Sequence, residues 1–350
     1  MLKRLVSRMR CPGCGPTSAP LQVHDFGAAA NATHITDGVL LCATCRTSYP
    51  VQDGLTELIA PVLQDAAHRR AFDERFAARL SEIGVAPTPA RPSGEAQAVA
   101  DQLKQRRHFD WYADNQTQNY HEYQNTPFWR AADEQALRRW RPLVADGSLI
   151  LDIGCADGRG GFYFTSLPQA TLVGFDISRR MVENAIRRAK REGFSDRSAF
   201  LVADGTRLPF AAGTFDVAIT FGVLHHLPEP AAAMRAIQLI LKNGGVHLAF
   251  ENNLSVARPI FDFLMRIVPL WSEEAGDEPL ISQRMVRQWL EGVPVDLTSA
   301  TSVFVPPHVL NWFSHRAADR LLRASDAIAR GLPVLRDNGG LIVFEARKRG

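Results

Sequence analysis

Small and acidic residues follow an apolar stretch near the middle of the chain, where "LILDIGCADG" runs from residue 149 to 158. A turn built from small residues lets the backbone approach a ligand closely, where a Cβ would collide or forbid the required φ. The stretch therefore predicts a ligand-binding turn at the end of a buried strand. The residues that compose this turn are Asp152, Gly154, Cys155, Ala156 and Gly158.

Two further carboxylates stand where later predicted strands end. Asp176 lies in "GFDIS" and Asp204 lies in "LVADG". The carboxyl ends of parallel strands share one edge of a sheet, so we expect Asp152, Asp176 and Asp204 to converge around one cleft. Asp176 could accept both hydroxyls of a ribose or simply begin a helix, and Asp204 could accept an adenine amino group. The glycine spacing differs from G-x-G-x-x-G, which disfavours a dinucleotide.

Two adjacent histidines, His225 and His226, follow the fourth predicted strand in "FGVLHHL". Imidazole changes its charge near neutral pH, so both are candidate catalytic proton acceptors. We expect His226 to face the substrate, and the alternative is that at least one ring packs structurally or bonds to the backbone. Glu251 and Asn252, at the end of "HLAFENN", are expected on the same side.

Four of the five cysteines form two C-x-x-C pairs near the start of the chain, "CPGC" and "CATC". Two such knuckles can supply the four thiolates of a tetrahedral zinc site; redox pairs or unrelated thiols are the alternatives. His24 and His34 lie between the knuckles and are not expected to be ligands. The fifth, Cys155, is expected to be a small packing residue, with a methyl-accepting cysteine as a remote alternative. The predicted metal ligands are Cys11, Cys14, Cys42 and Cys45.

Strands and helices alternate from about residue 147 onward. Buried strands in "SLILDIG", "TLVGFDIS", "SAFLVADG", "FDVAITFGVL" and "GVHLAFEN" are separated by helical segments such as "SRRMVENAIRRAKREG". This order predicts a doubly wound α/β fold with a parallel sheet and helices on both faces. Ahead of it, residues 62–84 and 96–141 indicate helices, and a Pro/Gly/Ser/Ala-rich linker separates them. We expect four aromatic residues to cover the ligand: Trp111, Tyr112, Tyr120 and Tyr123.

The ordered segments resemble class I S-adenosylmethionine-dependent methyltransferases over about residues 140–255. "DIGCADG" matches D-x-G-x-G-x-G, with Ala156 in place of the middle glycine, and "LKNGG" matches a later turn, with Asn243 where proline is usual. The resemblance implies a Rossmann-like seven-stranded sheet and S-adenosyl-L-methionine as cofactor. The implied cofactor-binding residues are Asp152, Gly154, Cys155, Ala156, Gly158, Asp176, Ile177, Met181, Asp204, Gly205, Thr206 and Phe221.

Residues 10–60 also resemble a known family, through "CP.C" followed by "L.C..C...YPV.DG". They look like the small zinc ribbon whose stand-alone members partner methyltransferases acting on tRNA and translation factors. The resemblance implies a structural Zn²⁺. We therefore expect a zinc ribbon at 1–60, a helical segment and linker at 61–110, and a methyltransferase domain at 111–350 with a helical insertion at about 254–292.

The apolar stretch "LSVARPIFDFLMRIVPLW", residues 254–271, opens this insertion. It is too short to span a bilayer, and it could be a lid, the wall of a lipid- or polyketide-sized pocket, or part of the core. Core or lid packing is the expectation.

Charge and composition narrow the function. The 350 residues carry a formal net charge of +3, far from the strong excess of a dedicated nucleic-acid binder. A methyltransferase acting on a small-molecule acceptor is expected, with RNA methylation guided by the ribbon as the alternative and an inactive scaffold less favoured. Without an apolar signal segment or membrane span, a cytoplasmic location follows, and a homodimer stays open.

Overall fold

A computed structural model describes residues 2–27, 33–85, 97–115, 125–270, 279–333 and 335–350. Within these ranges the helices are α1 Lys3–Val6, α2 Ala66–Arg75, α3 Ala77–Glu82, α4 Gln97–Asn115, α5 Pro127–Trp140, α6 Arg179–Arg191, α7 Pro230–Ile240, α8 Arg258–Ile267, α9 Gln283–Trp289, α10 Pro307–Leu310 and α11 His315–Arg330. The strands are β1 Gln22–Asp25, β2 Gly38–Leu41, β3 Ser48–Gln52, β4 Leu55–Leu58, β5 Leu149–Ile153, β6 Thr171–Asp176, β7 Ser198–Ala203, β8 Phe215–Phe221, β9 Leu241–Asn252, β10 Val295–Ser302 and β11 Leu341–Lys348.

Seven strands form the expected doubly wound unit, in the order β7-β6-β5-β8-β9-β11-β10. Strands β5 to β9 run parallel to one another, and β11 runs antiparallel between β9 and β10. From β5 the chain first builds outward through β6 and β7, and then returns to add β8 on the other side of β5. This reversal of strand order opens a crevice at the carboxyl ends of β5 and β8. The predicted Rossmann-like α/β class is confirmed.

The sheet is wider than the seven strands expected, because β1 to β4 continue it to eleven strands. Strand β4 pairs in parallel with β7, with Thr56 opposite Leu201. The segment before the first cysteine is also attached, since Arg10 N donates to Pro209 O at 2.9 Å. Apolar residues of the ribbon, including Met9, pack in the same buried cluster as β5 and β6. The amino-terminal segment and the central sheet therefore share a core.

Helix α6 shows how the sequence positions the residues at the strand ends. Ser178 caps its first turn, with Oγ accepting from Met181 N at 3.1 Å. Met181, Val182 and Ala185 are buried, as their helical spacing predicts. Because the capping residue Ser178 is two residues after Asp176, this cap fixes the backbone that carries the carboxylate.

Two sequence expectations differ in detail from the fold. The single helix expected over 62–84 is broken at Phe76 into α2 and α3, with Phe76 packed against the ring of Phe72 at 4.9 Å. Strand β9 begins at Leu241, earlier than "GVHLAFEN", because Leu241 already pairs with Phe215 across an irregular register. In the described ranges, no helix has the length and apolar character needed to cross a bilayer.

Candidate cofactor site and cysteine cluster

A cavity of about 650 Å³ opens at the carboxyl ends of the central strands. It brings together residues from the turns after β5, β6, β7 and β8. The predicted site residues that line it are Gly154, Cys155, Ala156, Asp176, Ile177, Met181, Asp204, Gly205, Thr206, Phe221, His225 and His226. Asp152 and Gly158 lie behind this lining.

The turn after β5 requires small residues for steric reasons. Gly154 has φ +63°, and a Cβ there would lie 2.7 Å from a methyl group of Val223. Ala156 has φ +44°, a left-handed conformation that costs an alanine about 1 kcal/mol relative to glycine. Class I methyltransferases usually have the middle glycine of the motif at this position. Ala156 keeps the backbone conformation of that glycine, and its backbone is strained as a result.

Asp152 stabilises this turn through its buried carboxyl group. Its side chain is buried, and Oδ2 accepts from Gly161 N at 2.7 Å. Burial, reinforced by the neighbouring Asp176 and Asp157, raises the pKa of Asp152 to about 7. The carboxyl group thus connects the end of β5 to the glycines after the motif, and it contacts backbone where the sequence interpretation placed a ligand.

Asp176 lines the cavity with both oxygens engaged by backbone donors. Oδ2 accepts from Ala156 N at 3.0 Å and Oδ1 accepts from Ser178 N at 2.9 Å. Burial raises the pKa of Asp176 to about 6, although these backbone donors oppose the shift. A carboxylate oxygen has two lone pairs, so each oxygen can still accept a ligand hydroxyl.

Asp204 is held by one close neighbour and one distant residue. Thr206 donates its N–H to Oδ1 at 2.8 Å and its hydroxyl to Oδ2 at 2.7 Å. Gln102, on α4, donates from Nε2 to the same Oδ2 at 2.8 Å. Helix α4 is therefore bonded directly to a carboxylate at the end of β7.

Sequence reasoning placed aromatic residues of this region over the ligand but did not find Gln102. The cavity-facing residues Gln102, Gln105, Phe109 and Tyr112 follow each other at helical spacing, which could have revealed the face. Gln105 donates to His226 O at 2.7 Å. Trp111 is exposed on another side of the helix, and Tyr120 and Tyr123 lie outside the described residues.

The two adjacent histidines have different surroundings. His225 is buried, and its Nδ1 lies 2.7 Å from Oε2 of Glu251. The other oxygen of Glu251 accepts from Val223 N and Leu224 N at 2.9 and 2.8 Å. Glu251 therefore orients both the imidazole and the loop that carries it.

His226 is half-buried, with its ring edge-on to Phe109 at 5.5 Å. Burial, together with the nearby His225 and His108, holds the pKa of His226 well below its ordinary value. The ring is therefore neutral at neutral pH and has little affinity for a proton.

Arg159, which directly follows the motif, was also missed by sequence reasoning. Its guanidinium lies 4.7 Å from the ring centroids of both Trp129 and Phe221. It donates to Asp133 Oδ1 at 2.7 Å, which ties α5 to the turn after β5. It adds a positive charge to the cavity lining.

Part of the cavity lining is apolar. Helix α8 contributes Ile260 and Phe261 beside the charged Arg258, and the segment after β10 contributes Phe304, Val305, Pro306 and Pro307. Core or lid packing is the sequence-based expectation for the stretch that opens the insertion. No side chain of α8 is fully buried, which contradicts core packing, and two of its apolar side chains line the cavity.

The backbone turns into this wall at Val303, whose φ of +68° is strained for a β-branched residue. Gly340 N donates to Val303 O at 2.9 Å, and Val303 N donates to Asp326 Oδ1 at 3.2 Å. These two bonds hold the strained residue at the edge of the cavity.

The four amino-terminal cysteines form one cluster, with all sulfur atoms within 4.8 Å of one another. Sγ of Cys11 lies 3.5 Å from that of Cys45, and Sγ of Cys14 lies 3.8 Å from that of Cys42. Tetrahedral thiolates at Zn–S distances of about 2.3 Å stand about 3.8 Å apart, so this geometry fits Zn²⁺. The buried Tyr49 places its hydroxyl 3.1 Å from Sγ of Cys11. His24 and His34 do not belong to the cluster.

Comparison with known proteins agrees with this geometry. Residues 150–245 match a family model described as a methyltransferase domain. The chain is 35% identical over 118 residues to a 27-O-demethylrifamycin SV methyltransferase of Amycolatopsis mediterranei, which is 34% of this chain and 43% of that protein. It is 28% identical over 129 residues to a sterol 24-C-methyltransferase of Aspergillus fumigatus, covering 37% of this chain and 34% of that protein.

A third relative, phosphoethanolamine N-methyltransferase 1 of Triticum aestivum, is 35% identical over 33% of this chain and 23% of its own length. The chain thus spans less than half the length of these relatives. Among solved structures, one from a complex of the Haloferax volcanii Trm112 methyltransferase activator with a methyltransferase has a TM-score of 0.48 and 18% identity, covering 69% of this chain and 98% of that one.

The strand order and the ligand-binding turn define a Rossmann-like α/β protein with its site at the carboxyl edge of the sheet. With the family match, the chain contains a domain of the class I S-adenosylmethionine-dependent methyltransferase family, preceded by a four-cysteine cluster that fits a zinc ribbon.

Proposed function

We propose that the chain is an S-adenosyl-L-methionine-dependent methyltransferase acting on a small-molecule acceptor. The observation that carries the proposal is the pair Asp176 and Asp204, which line one cavity from the ends of neighbouring strands inside the family match. Asp176 would accept the ribose hydroxyls and Asp204 the adenine amino group. The glycine and alanine of the turn leave room for the rest of the cofactor.

When bound, the cofactor supplies a methyl group on a sulfonium, which an acceptor atom takes by in-line displacement. This chain's residues orient the acceptor and receive the proton that the acceptor loses. His225 is the better supported proton acceptor, because a Glu251 carboxylate only accepts hydrogen bonds and so keeps the proton of neutral His225 on Nδ1. Nε2 is then the nitrogen that can take a proton, and His226 would help to shape the site.

A small molecule is favoured over RNA by the shape and polarity of the cavity. Part of its lining consists of apolar side chains of α8 and of residues 304–307, beside Arg258. The named relatives methylate, by their names, a rifamycin derivative, a sterol and phosphoethanolamine, and large apolar acceptors such as the first two suit this lining best. The net charge of +3 gives RNA little electrostatic attraction.

The cysteine cluster would hold a structural Zn²⁺. Four cysteine ligands leave no open coordination position for chemistry. The cluster is attached to the sheet through β4 and through Arg10, so the metal would stabilise the strands next to Asp204.

Calorimetric titration with S-adenosyl-L-methionine tests the proposal. We expect saturable binding that Asp176→Ala abolishes and that Asp146→Ala, a change of an exposed carboxylate, leaves intact. A screen with methyl-labelled cofactor against fractionated metabolites and total RNA then identifies the acceptor. Absence of cofactor binding by the wild-type chain would refute the proposal, and label transfer to RNA alone would establish the alternative.

A further inference from the structure

Helix α8 exposes Ile260, Phe263 and Ile267, which are separated by three and four residues and therefore lie on one face. Val256, two residues before the helix begins, is exposed as well. The exposed fractions of the four side chains are 79% for Val256, 63% for Ile260, 60% for Phe263 and 60% for Ile267. We call these four residues the outer stripe.

Another face of α8 attaches the helix to the protein. Phe261 and Met265, four residues apart on that face, are half-buried. The ring of Phe261 lies 6.2 Å from that of His308, and His308 Nε2 lies 2.9 Å from Val268 O. Just beyond α10, Trp312 is 81% exposed. The outer stripe is therefore presented by a helix that is attached to α10 through His308, and an exposed indole follows α10 in the chain.

The outer stripe is continuous with the interior of the cavity. Val256 and Ile260 both line the cavity and belong to the exposed stripe. Leu335, across the mouth, also combines a cavity position with exposure. An apolar molecule leaving the cavity past Val256 and Ile260 would meet the apolar side chains of the stripe, next to the polar lining residues Ser255, Arg258 and Asn338.

The size of the stripe argues against a second copy of the chain as its partner. A ten-residue helix is about 15 Å long and about 10 Å wide, so one face offers roughly 150 Å². Stable protein interfaces bury about 800 Å² on each partner. A lipid surface needs no matching partner area, and it accepts short amphipathic segments and an exposed indole at the headgroup level.

We propose that the outer stripe docks on the surface of a phospholipid bilayer and that an apolar methyl acceptor passes from the lipid into the cavity. The role of the acceptor rests on the proposed function, whereas the docking does not. The sequence continues with Glu273, Glu274, Asp277 and Glu278, outside the described residues, so we expect apolar insertion to drive docking, with little dependence on anionic lipid or on salt.

Flotation of the full chain with phosphatidylcholine vesicles, with and without phosphatidylglycerol, tests the docking. We expect the wild-type chain to float with both and the double variant Phe263→Glu, Ile267→Glu to lose at least tenfold in partition coefficient. Neither residue lines the cavity. Leu239→Glu is the matched control, since Leu239 is 53% exposed on α7, at the opposite edge of the sheet. It should stay within twofold of wild type.

Four results would overturn the proposal: no flotation of the wild-type chain, equal loss in the control, a wild-type dimer that the double variant dissociates, or a large fall in Tm of the double variant without lipid. Dissociation of a wild-type dimer by the double variant would show that the stripe packs against a second copy of the chain. A large fall in Tm without lipid would show that the stripe packs against another part of the same chain. Calorimetry with S-adenosyl-L-methionine on the same samples separates the two ideas, because a chain that binds cofactor but no vesicles refutes only the docking.

Discussion

Gln102 donates a hydrogen bond from Nε2 to Oδ2 of Asp204 across 2.8 Å, joining residues 102 positions apart in the chain. The same amide lies 3.3 Å from the hydroxyl of Thr206, which itself donates to Asp204. The three side chains form one hydrogen-bonded group at the end of β7, in which Gln102 and Asp204 are buried. Helix α4 therefore covers the cavity and also contributes a side chain to the proposed adenine site.

Gln102→Ala should weaken cofactor binding by removing this support. A hydrogen bond to a charged group contributes about 1.5–3 kcal/mol, so we expect a Kd for S-adenosyl-L-methionine raised by about tenfold or more. Gln102→Glu should weaken binding further, because two carboxylates would face each other. Lys104→Ala, an exposed change on the same helix, is the control for calorimetry. Equal affinities for wild type and Gln102→Ala would limit α4 to covering the cavity.

The sequence predicts the parts of the site that lie on successive strands, and it misses those that depend on long-range packing. Asp176 and Asp204 are found because parallel strands bring their carboxyl ends together. Gln102 and Arg159 are missed because their positions depend on where α4 and α5 cross the sheet edge, which no local periodicity encodes. The addition of β1 to β4 to the sheet is missed for the same reason, since edge pairing leaves no motif.

A buried ion pair fixes the ribbon to the cofactor site. Glu57 on β4 accepts from the guanidinium of Arg179, the first residue of α6, and both side chains are largely buried. Arg179→Ala leaves the buried carboxylate of Glu57 unpaired, so we expect it to lower the free energy of unfolding by about 3–5 kcal/mol. Glu57→Ala should lower the free energy of unfolding by less, because Arg179 keeps its ion pair with Glu183.

The double variant of this pair should be more stable than the sum of the two single changes predicts, by at least 1 kcal/mol, because no unpaired charge remains. Denaturant unfolding of the four proteins measures the coupling. Arg179 also pairs with Glu183 at 3.0 Å, so the Arg179 variant carries a second loss that Glu183→Ala measures alone. Strict additivity would show that β4 does not depend on this contact.

Metal content and cofactor binding should change together if the cysteine cluster supports the sheet. We expect about one zinc per chain, lost in Cys14→Ser, with a lower Tm and weaker binding of S-adenosyl-L-methionine. Cys155→Ala is the control for metal content, since Cys155 lies in the turn after β5 and not in the cluster. Elemental analysis with thermal unfolding decides the outcome. A zinc-free Cys14→Ser protein with unchanged Tm would contradict the structural role.

Asp152 should make the stability of the cofactor-free chain depend on pH. Its pKa of about 7 in the folded protein exceeds the ordinary carboxyl value of 3.8, so its protonated form favours folding below pH 4. That contribution falls as pH rises toward 7, where the folded state must also release the proton. Asp152→Asn has no charge to bury, so the Tm of the variant minus that of wild type should rise between pH 4 and pH 7 and then level off.

Thermal unfolding at half-unit pH steps measures this difference. Asp146→Asn, on an exposed turn, should show a flat difference across the same range. Should the Asp152→Asn difference also be flat, the carboxyl group would be ionised throughout, and its contact with Gly161 would outweigh its burial.

His225 and His226 should differ in their effect on catalysis, because His225 is oriented by Glu251, whereas burial keeps the pKa of His226 well below its ordinary value. With the acceptor from the labelled-methyl screen, His225→Asn should reduce kcat by about 10²–10⁴, the usual contribution of a general base, while the Kd for cofactor changes little.

The wild-type rate should fall on the acidic side as the imidazole protonates, and this limb should vanish in His225→Asn. His226→Asn should retain the acidic limb, since the low pKa of that ring already keeps it neutral. Glu251→Gln should lower both kcat and Tm, because the carboxylate also accepts from Val223 N and Leu224 N. If His225→Asn keeps more than a tenth of the wild-type kcat with an unchanged pH profile, the acceptor loses its proton to water and His225 serves only to hold the loop.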